Sequence, residues 1–343
     1  MTYVVRRLLL LIPVLIGVSL LTFGITRAAG EPWVIYTDPN KPVTPEMIED
    51  IKEKYHLDEP VYVQYYYWLD GALHGDLGYS KTARSNVTLA LANKFPATFE
   101  LAVVATSFAV LIGIGTGTRA GVRANSLFDQ GSRVIALIGV SMPVFWLGLL
   151  IMMVFYKGLG LFTEGWLPGP GRYDVYKYSY SDIHHYTNLL TVDTLLNGKF
   201  SFFWDACRHL IAPAVTLCFT NAAIIIRMMR SSMLEVMGSE YVKTARSKGL
   251  PEKAVIRKHA RRNALIPTTT VIGLGFGGLL GGAVLTETLF NWNGIGMWAA
   301  QAATGLDSAG IMGFTLLTAI IYVLANLIVD LVYAYLDPRV RLG

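Results

Sequence analysis

Long apolar runs recur along this chain and alternate with polar, charged segments. Six runs contain no Asp, Glu, Lys, Arg or His: residues 8–26, 101–118, 134–156, 210–226, 263–286 and 308–329. A helix needs about 20 predominantly apolar residues to cross the hydrocarbon core of a bilayer. The pattern therefore predicts an all-α integral membrane protein with six transmembrane helices. The fourth run is the shortest and contains Pro213 and Asn221.

The first apolar run, within residues 1–29, has two interpretations. Arg6 and Arg7 precede it and small residues, Ala28-Ala29-Gly30, follow it, which is also the layout of a cleaved signal peptide. The apolar region of a signal peptide is about 7–15 residues long, and this run is longer. We therefore expect residues 1–29 to form the first transmembrane helix.

The overall composition agrees with a membrane environment. Hydrophobic residues make up 53% of the chain and charged residues only 15%. A soluble domain has about 25% charged residues, so this chain has too few of them to cover the surface of a soluble globule. The two cysteines, Cys207 and Cys218, form neither a metal-binding pattern nor a disulfide framework.

Basic residues are distributed unevenly between the runs, and they predict the orientation. The segment 227–263 carries ten basic residues against three acidic ones, and further basic residues lie before the first run and after the last. Because Lys and Arg concentrate in cytoplasmic loops, we expect this segment and both termini in the cytoplasm. The same distribution accounts for the net charge of +5 without a nucleic-acid partner, since no nucleic-acid-binding module surrounds these residues.

Under this orientation residues 30–96 form an extracellular segment with helices of its own. One helix is predicted to start at Thr44, and a second runs through the tyrosine-rich residues 61–69. These aromatic residues are typical of an interfacial belt in the membrane, and they also suit a docking face for an external partner.

A second extracellular segment, the insertion 157–208, lies between the third and fourth runs. It contains the adjacent histidines His184 and His185. Neighbouring histidines without helical or CxxC spacing are a weak metal-binding pattern, so we interpret the segment as a solvated insertion without a metal site.

The basic segment between the fourth and fifth runs, taken as 230–263, contains a predicted short helix. The helix extends from Glu240 to Lys248, Gly249 is its expected C-cap, and Pro251 begins a second helix that ends near residue 262. Such a helix either lies on anionic lipid headgroups or fits a groove on a soluble partner, and composition alone favours the lipid.

Residues 240–267 resemble the cytoplasmic EAA loop of ABC-importer permeases. Lys243-Thr244-Ala245 occupies the position of the EAA triplet, Gly249 is the glycine of that loop, and residues 264–267 occupy its closing I-x-L-P. The triplet keeps only its last alanine and the second spacer is longer than the general pattern. This longer form is typical of the peptide/nickel branch, whose other motifs are matched at residues 68–78, 95–98, 141–145, 286–290 and 337–341.

The resemblance implies a type I ABC importer permease fold in the cell membrane of a prokaryote. Such a permease forms half of a translocation pathway together with a second homologous permease subunit, as a heterodimer or a homodimer. Two cytoplasmic ABC ATPase subunits bind the ATP and Mg, and an extracellular substrate-binding protein delivers peptides, nickel or oligosaccharides. The expected ATPase-coupling residues are Glu240, Tyr241, Thr244, Ala245, Lys248, Gly249 and Leu250.

The chain lacks the motifs of the common alternatives. A phosphate-binding loop GxxxxGK[ST], an HExxH motif and a GxSxG motif are all absent from the sequence, so we predict no catalytic residue, no metal site and no cofactor in this chain. No acid or histidine lies in the middle of a run; Glu287 and Asp330 lie near span ends, where structural pairing is favoured over proton relay. This distribution argues against a proton-coupled secondary transporter.

The fifth run is rich in glycine. Gly273, Gly277 and Gly281 recur every fourth residue and form one small-residue face. Such a face permits close helix packing within the subunit, and it also suits the lining of a pathway or contact with a second permease.

Overall fold

The computed structural model describes residues 2–29, 33, 36–37, 43–156 and 166–336, and they are mostly helical. The helices are α1 (Thr2–Ala29), α2 (Pro45–Lys54), α3 (Val61–Leu73), α4 (Val87–Val122), α5 (Leu127–Ser141), α6 (Val144–Ile151), α7 (Leu190–Leu196), α8 (Phe200–Met237), α9 (Glu240–Ser247), α10 (Glu252–Ala254), α11 (Arg261–Leu280), α12 (Val284–Leu289), α13 (Ile295–Thr304) and α14 (Ser308–Leu336). Strands β1 (Tyr79–Ser80) and β2 (Ser85–Asn86) pair as one small antiparallel hairpin. The family motif at 337–341 and residues 157–165 of the insertion lie outside the described residues.

Four helical stretches are long and apolar enough to cross a membrane: Val87–Val122, Phe200–Met237, Glu252–Leu280 and Ser308–Val332. The stretch Leu127–Ser141 meets this standard only when it is paired with Val144–Tyr156. Within α1 the stretch Ile12–Ala28 is apolar and falls just short of this length. By length and composition the described residues therefore hold four candidate spans, or five when the pair counts as one.

The third apolar run, which the sequence predicted as one span, is a broken helix. α5 and α6 meet at an angle of 105° on either side of Met142 and Pro143. Proline disfavours helical geometry in the residue before it, and Met142 is extended, with φ −84° and ψ 126°. The bend therefore follows from Pro143, which a prediction based only on charge-free runs does not take into account.

The fifth apolar run also differs from its predicted bounds, at both ends. α10, a π-helical stretch (Val255–Ala260) and α11 form one continuous helical rod, Glu252–Leu280. The second cytoplasmic helix predicted from Pro251 is therefore the beginning of this rod. The rod ends at Leu280 because Gly282 takes φ +101°, and α12 starts two residues later.

The connections of the long helices define two opposite ends of the bundle. One end, called the α9 face, carries α9 and the turn between α4 and α5. The other end, called the α12 face, carries α2, α3, the β1–β2 hairpin, α7, α12 and α13.

The centre of the bundle is a close contact between α4 and α8. A Cβ atom built on Gly117 would lie 2.7 Å from Cβ of Met229, and one built on Gly121 would lie 2.5 Å from Cβ of Met233. Lipid tails are as apolar as core side chains, so helices in a membrane associate mainly where small residues let their backbones approach. These glycines therefore fix the distance between the two helices.

An ion pair joins α5 to α8 at the α9 face. The fully buried carboxylate of Asp129 accepts hydrogen bonds from Arg230 at 2.5 Å (Nε) and 2.9 Å (Nη2). Two parallel bonds from one guanidinium fix the orientation of both side chains. The carboxylate also accepts a hydrogen bond from the backbone N–H of Asn125, and this bond closes the turn before α5.

The described part of the insertion packs onto the α12 face through Glu100 of α4. This buried carboxylate accepts from Arg172 Nη2 at 2.9 Å and from the amide and hydroxyl of Thr191 at 2.8 and 2.6 Å. The described insertion therefore has fixed contacts with the bundle, which the interpretation as a simple solvated segment did not include. Among the described residues no group of three or more metal-ligating side chains is present, and His185 stacks on the ring of Tyr180.

Glu287 is buried at the α12 face and holds α13 in place. Its carboxylate accepts from the Thr98 hydroxyl at 2.8 Å and from the Met297 amide in the first turn of α13 at 2.9 Å. An acid near the amino end of a helix satisfies free amides and interacts favourably with the helix dipole. The side chain thus links α12, α13 and α4.

The α4–α8 contact predicts different effects for two neighbouring glycines. Gly117→Ala should destabilise the protein by about 1–3 kcal/mol, because the new methyl group overpacks the contact with Met229. Gly115→Ala is the matched control, because its Cβ meets no atom within 4 Å. Thermal unfolding of the detergent-solubilised protein should show a lower midpoint for Gly117→Ala alone. Equal midpoints for the two variants would contradict this account of the core.

Candidate functional site

Helix α9 connects α8 to the Glu252–Leu280 rod at the α9 face. It begins at Glu240 as the sequence predicted and ends at Ser247, one residue before the predicted end, with Lys248 instead of Gly249 as its C-cap. Ser239 is its N-cap residue with extended backbone angles, Glu240 lies in the first turn and Arg246 in the last. Acidic and basic residues in these positions complement the helix dipole. Gly249 follows at φ +75°, a conformation that favours glycine, and it turns the chain towards α10.

One side of α9 packs into the chain's own core. Val242 and Ala245 are buried on this side, at 0% and 6% exposure. Their cluster also contains Met229, Met233, Val255, Ala260 and Ala264. Ala245 is among the residues expected to couple to an ATPase, and in the structure its small side chain packs within the chain itself.

The opposite side of α9 is exposed and has no cover among the described residues. This surface, called the α9 outer surface, contains the other six residues expected to couple to an ATPase: Glu240, Tyr241, Thr244, Lys248, Gly249 and Leu250. Tyr241 and Leu250 expose about 41% and 40% of their area. Exposed aromatic and aliphatic groups ringed by charges are typical of a protein-binding surface.

A bidentate ion pair ties α9 to the start of the following rod. Arg246 donates from Nη2 to Glu252 Oε1 at 2.7 Å and from Nε to Oε2 at 3.1 Å. This hydrogen bonding raises the pKa of the Arg246 guanidinium above its ordinary value. The sequence analysis missed the pair because the two residues lie on either side of the turn at Gly249, outside the usual helical spacing.

The glycine face of α11 packs against α14. A Cβ atom on Gly277 would lie 2.9 Å from Cβ of Ala325, and one on Gly281 would lie 3.0 Å from Cγ2 of Thr318. Gly273 approaches Val329 in the same way. The structure thus places all three predicted glycines at a helix–helix contact within the chain, and a side chain at any of them would separate the two helices.

A large open cavity of about 1010 Å³ lies at the α12 face. Its walls combine charged, polar and aromatic side chains from three separate parts of the chain, including Lys94, Tyr156, Arg172, Tyr173, Asp174 and Tyr176. Sequence reasoning missed it because α4, the insertion and the turn after α12 contribute to it from distant positions. A cavity with both charges and aromatic rings can accept a polar, zwitterionic molecule.

Two family descriptions together match nearly the whole chain. The binding-protein-dependent transport system inner membrane component matches residues 109–342. The N-terminal part of the corresponding membrane component matches residues 1–102.

Curated relatives align along the full length of the chain. The dipeptide transport system permease protein DppB of Alkalihalophilus pseudofirmus is 43% identical over 342 residues, covering 99% of both chains. The protein of the same name from Escherichia coli strain K12 is 40% identical over 340 residues, covering 99% of this chain and 98% of the relative. The oligopeptide transport system permease protein AppB of Bacillus subtilis is 36% identical over 341 residues and covers 99% of both. This chain therefore belongs to the family of binding-protein-dependent transport system inner membrane components, the permease subunits of ABC importers.

Proposed function

We propose that this chain is one permease subunit of an ATP-driven importer of short peptides. The observation that carries the proposal is the α9 outer surface, which displays six expected coupling residues on a short helix and the turn that follows it, between two helices long enough to span a membrane. Members of this family are permeases and not enzymes, so partner subunits hydrolyse the ATP. Peptides are the favoured cargo over nickel or oligosaccharides, because the full-length relatives are named for dipeptide and oligopeptide transport.

The proposed topology has six spans with both termini in the cytoplasm of a prokaryotic cell. α1, α4, the bent α5–α6 pair, α8, the Glu252–Leu280 rod and α14 are the six. The α9 face, with the basic coupling loop 230–263, is then cytoplasmic. The α12 face, with segments 30–96 and 157–208, is extracellular.

In the proposed mechanism α9 receives force from the ATPases and passes it to the spans. The α9 outer surface docks in a cleft of one of two cytoplasmic ABC ATPases, which bind ATP and Mg. When ATP binding closes the two ATPases on each other, α9 is displaced. The Arg246–Glu252 ion pair carries the movement into the rod, and the buried contacts of Val242 carry it into α8. Rigid-body shifts of packed helices are a common means of switching between two states.

The rod moves α14 with it. The two helices pack so closely at Gly277 that they cannot slide past each other. Together with a second homologous permease, these helices would form a pathway that opens alternately to each side. An extracellular binding protein would deliver peptides to the α12 face. The cavity there offers a cation at Lys94 and a carboxylate at Asp174, which suit the two charged ends of a peptide.

Reconstitution tests the proposed function directly. The chain, purified from cells that express its natural partners, should retain two cytoplasmic ATPases. In proteoliposomes the complex should take up a labelled dipeptide only when ATP and the binding protein are present. A complex without an ATPase that transports on an ion gradient alone would overturn the proposal in favour of a secondary transporter.

Gly249 allows the docking surface to be tested separately from folding. Gly249→Trp should still reach the membrane, because a Cβ there meets no atom of the chain within 4 Å and the strain of a side chain at φ +75° is confined to this exposed turn. It should nevertheless lose most of the co-purifying ATPase and most of the uptake, since the indole blocks close approach. Gly249→Asn is the control, because Asn tolerates positive φ and is small. Unchanged ATPase content in Gly249→Trp would show that the partner binds elsewhere.

A charge swap tests the link between α9 and the rod. Arg246→Glu should reduce the amount of peptide imported per ATP hydrolysed, because like charges then face each other across the turn. Adding Glu252→Arg restores an opposite pair and should restore that ratio. Uptake and phosphate release are measured on the same proteoliposomes. If the double variant remained as impaired as the single one, the ion pair would not be the connection.

A further inference from the structure

Helix α3 is attached to the membrane helices along one side only. On that side Trp68 is buried and its ring lies 5.5 Å from the ring of Phe23 in α1. Tyr65 contacts the same phenylalanine, also at 5.5 Å between ring centroids, and Met312 of α14 completes the cluster. α3 therefore rests in the angle between α1 and α14.

The contacts with α1 show how deep α3 lies. The Tyr65 hydroxyl is 2.7 Å from the hydroxyl of Ser19. Ser19 precedes Thr26, the last residue of the charge-free run, by seven residues, which corresponds to about 10 Å along a helix axis. Half of the hydrocarbon core is about 15 Å thick. A tyrosine side chain of α3 therefore ends well inside the apolar part of α1.

The exposed surface of α3 includes an uncharged stripe. Its residues Tyr62, Tyr66 and Leu73 are 75%, 65% and 78% exposed. Asp70, the one charged residue within α3, is also exposed and lies beside this stripe, one helical turn after Tyr66. Tyrosine is enriched where a membrane protein meets the boundary between hydrocarbon and headgroups, because its ring is apolar and its hydroxyl polar.

α1 has an exposed apolar surface at the depth of its contacts with α3. Leu20, Leu21 and Ile25 are exposed at the same level as the residues that hold α3. A soluble partner cannot reach a surface at this depth without displacing lipid. The depth of α3 therefore favours an interfacial belt over a docking face for an external partner.

We propose that α3 is an interfacial helix whose Tyr62, Tyr66 and Leu73 contact membrane lipid at the boundary between headgroups and hydrocarbon. The inference requires only that α1 spans the membrane, and it is independent of the cargo and of the direction of transport. α3 would then fix the height of the α12 face relative to the bilayer.

Depth-dependent fluorescence quenching tests the proposal. Tyr66→Cys and, separately, Leu73→Cys are made in a Cys207→Ser, Cys218→Ala background, labelled with a nitrobenzoxadiazole dye and reconstituted with the partner subunits in phosphatidylcholine vesicles. Both labels should lose most of their emission with lipid carrying a doxyl group at carbon 5 of its acyl chain. They should lose less with the group at carbon 12 and little with aqueous iodide.

Tyr176→Cys is the matched control, since Tyr176 is 98% exposed and lies in the insertion. Its label should respond to iodide and not to doxyl lipid. Iodide quenching of the α3 labels without lipid quenching would place the stripe in water and overturn the proposal. Protection from both quenchers would assign the stripe to a protein partner and overturn it equally. The outcome does not depend on measured transport, so failure of the proposed function remains distinguishable.

Discussion

The close approach of α4 to α8 is the contact on which the rest of the structure depends. Between membrane helices the hydrophobic effect contributes little, so association relies on dense packing. Gly113, Gly117 and Gly121 supply it by bringing the α4 backbone against large side chains of α8. α8 then continues to the α9 face, where its last turns contact α9 and the start of the rod. The rod repeats the same device with its own glycines against α14, so both central contacts depend on residues without side chains.

This arrangement separates the two ends of the molecule by chemistry. At the α9 face, the buried aliphatic cluster and two bidentate arginine–carboxylate pairs join short elements to long helices. At the α12 face, Glu100, Glu287 and Asp307 are buried acceptors that collect hydroxyl and amide donors from distant segments. The first face is a compact unit, whereas the second is a mosaic of segments held together by polar contacts.

The sequence predicted local features well and long-range ones poorly. Charge-free runs located the helices, and the Gly249-Leu250-Pro251 turn located the end of α9, because both signals are local. The break at Pro143 and the end of the fifth run at Gly282 were visible as residues, but a pattern based on charge alone does not weigh them. The burial of Glu287 had no local signal, since its partner Thr98 is 189 residues away. The inward side of α9, including Ala245, depends on contacts with α8 that no spacing within the loop reveals.

The π-helical stretch Val255–Ala260 sets the angular phase between the two ends of the rod. Each residue of an α-helix advances the side-chain direction by about 100°, and a π turn holds one residue more than an α turn. Val255 and Ala260 face the α9 cluster, whereas Gly273 and Gly277 must face α14. Loss of a single residue from this stretch would leave both surfaces intact and rotate one against the other by roughly a quarter turn. The π-helical stretch thus sets the rotation of the rod about its own axis, so that one end faces the α9 cluster while the other faces α14.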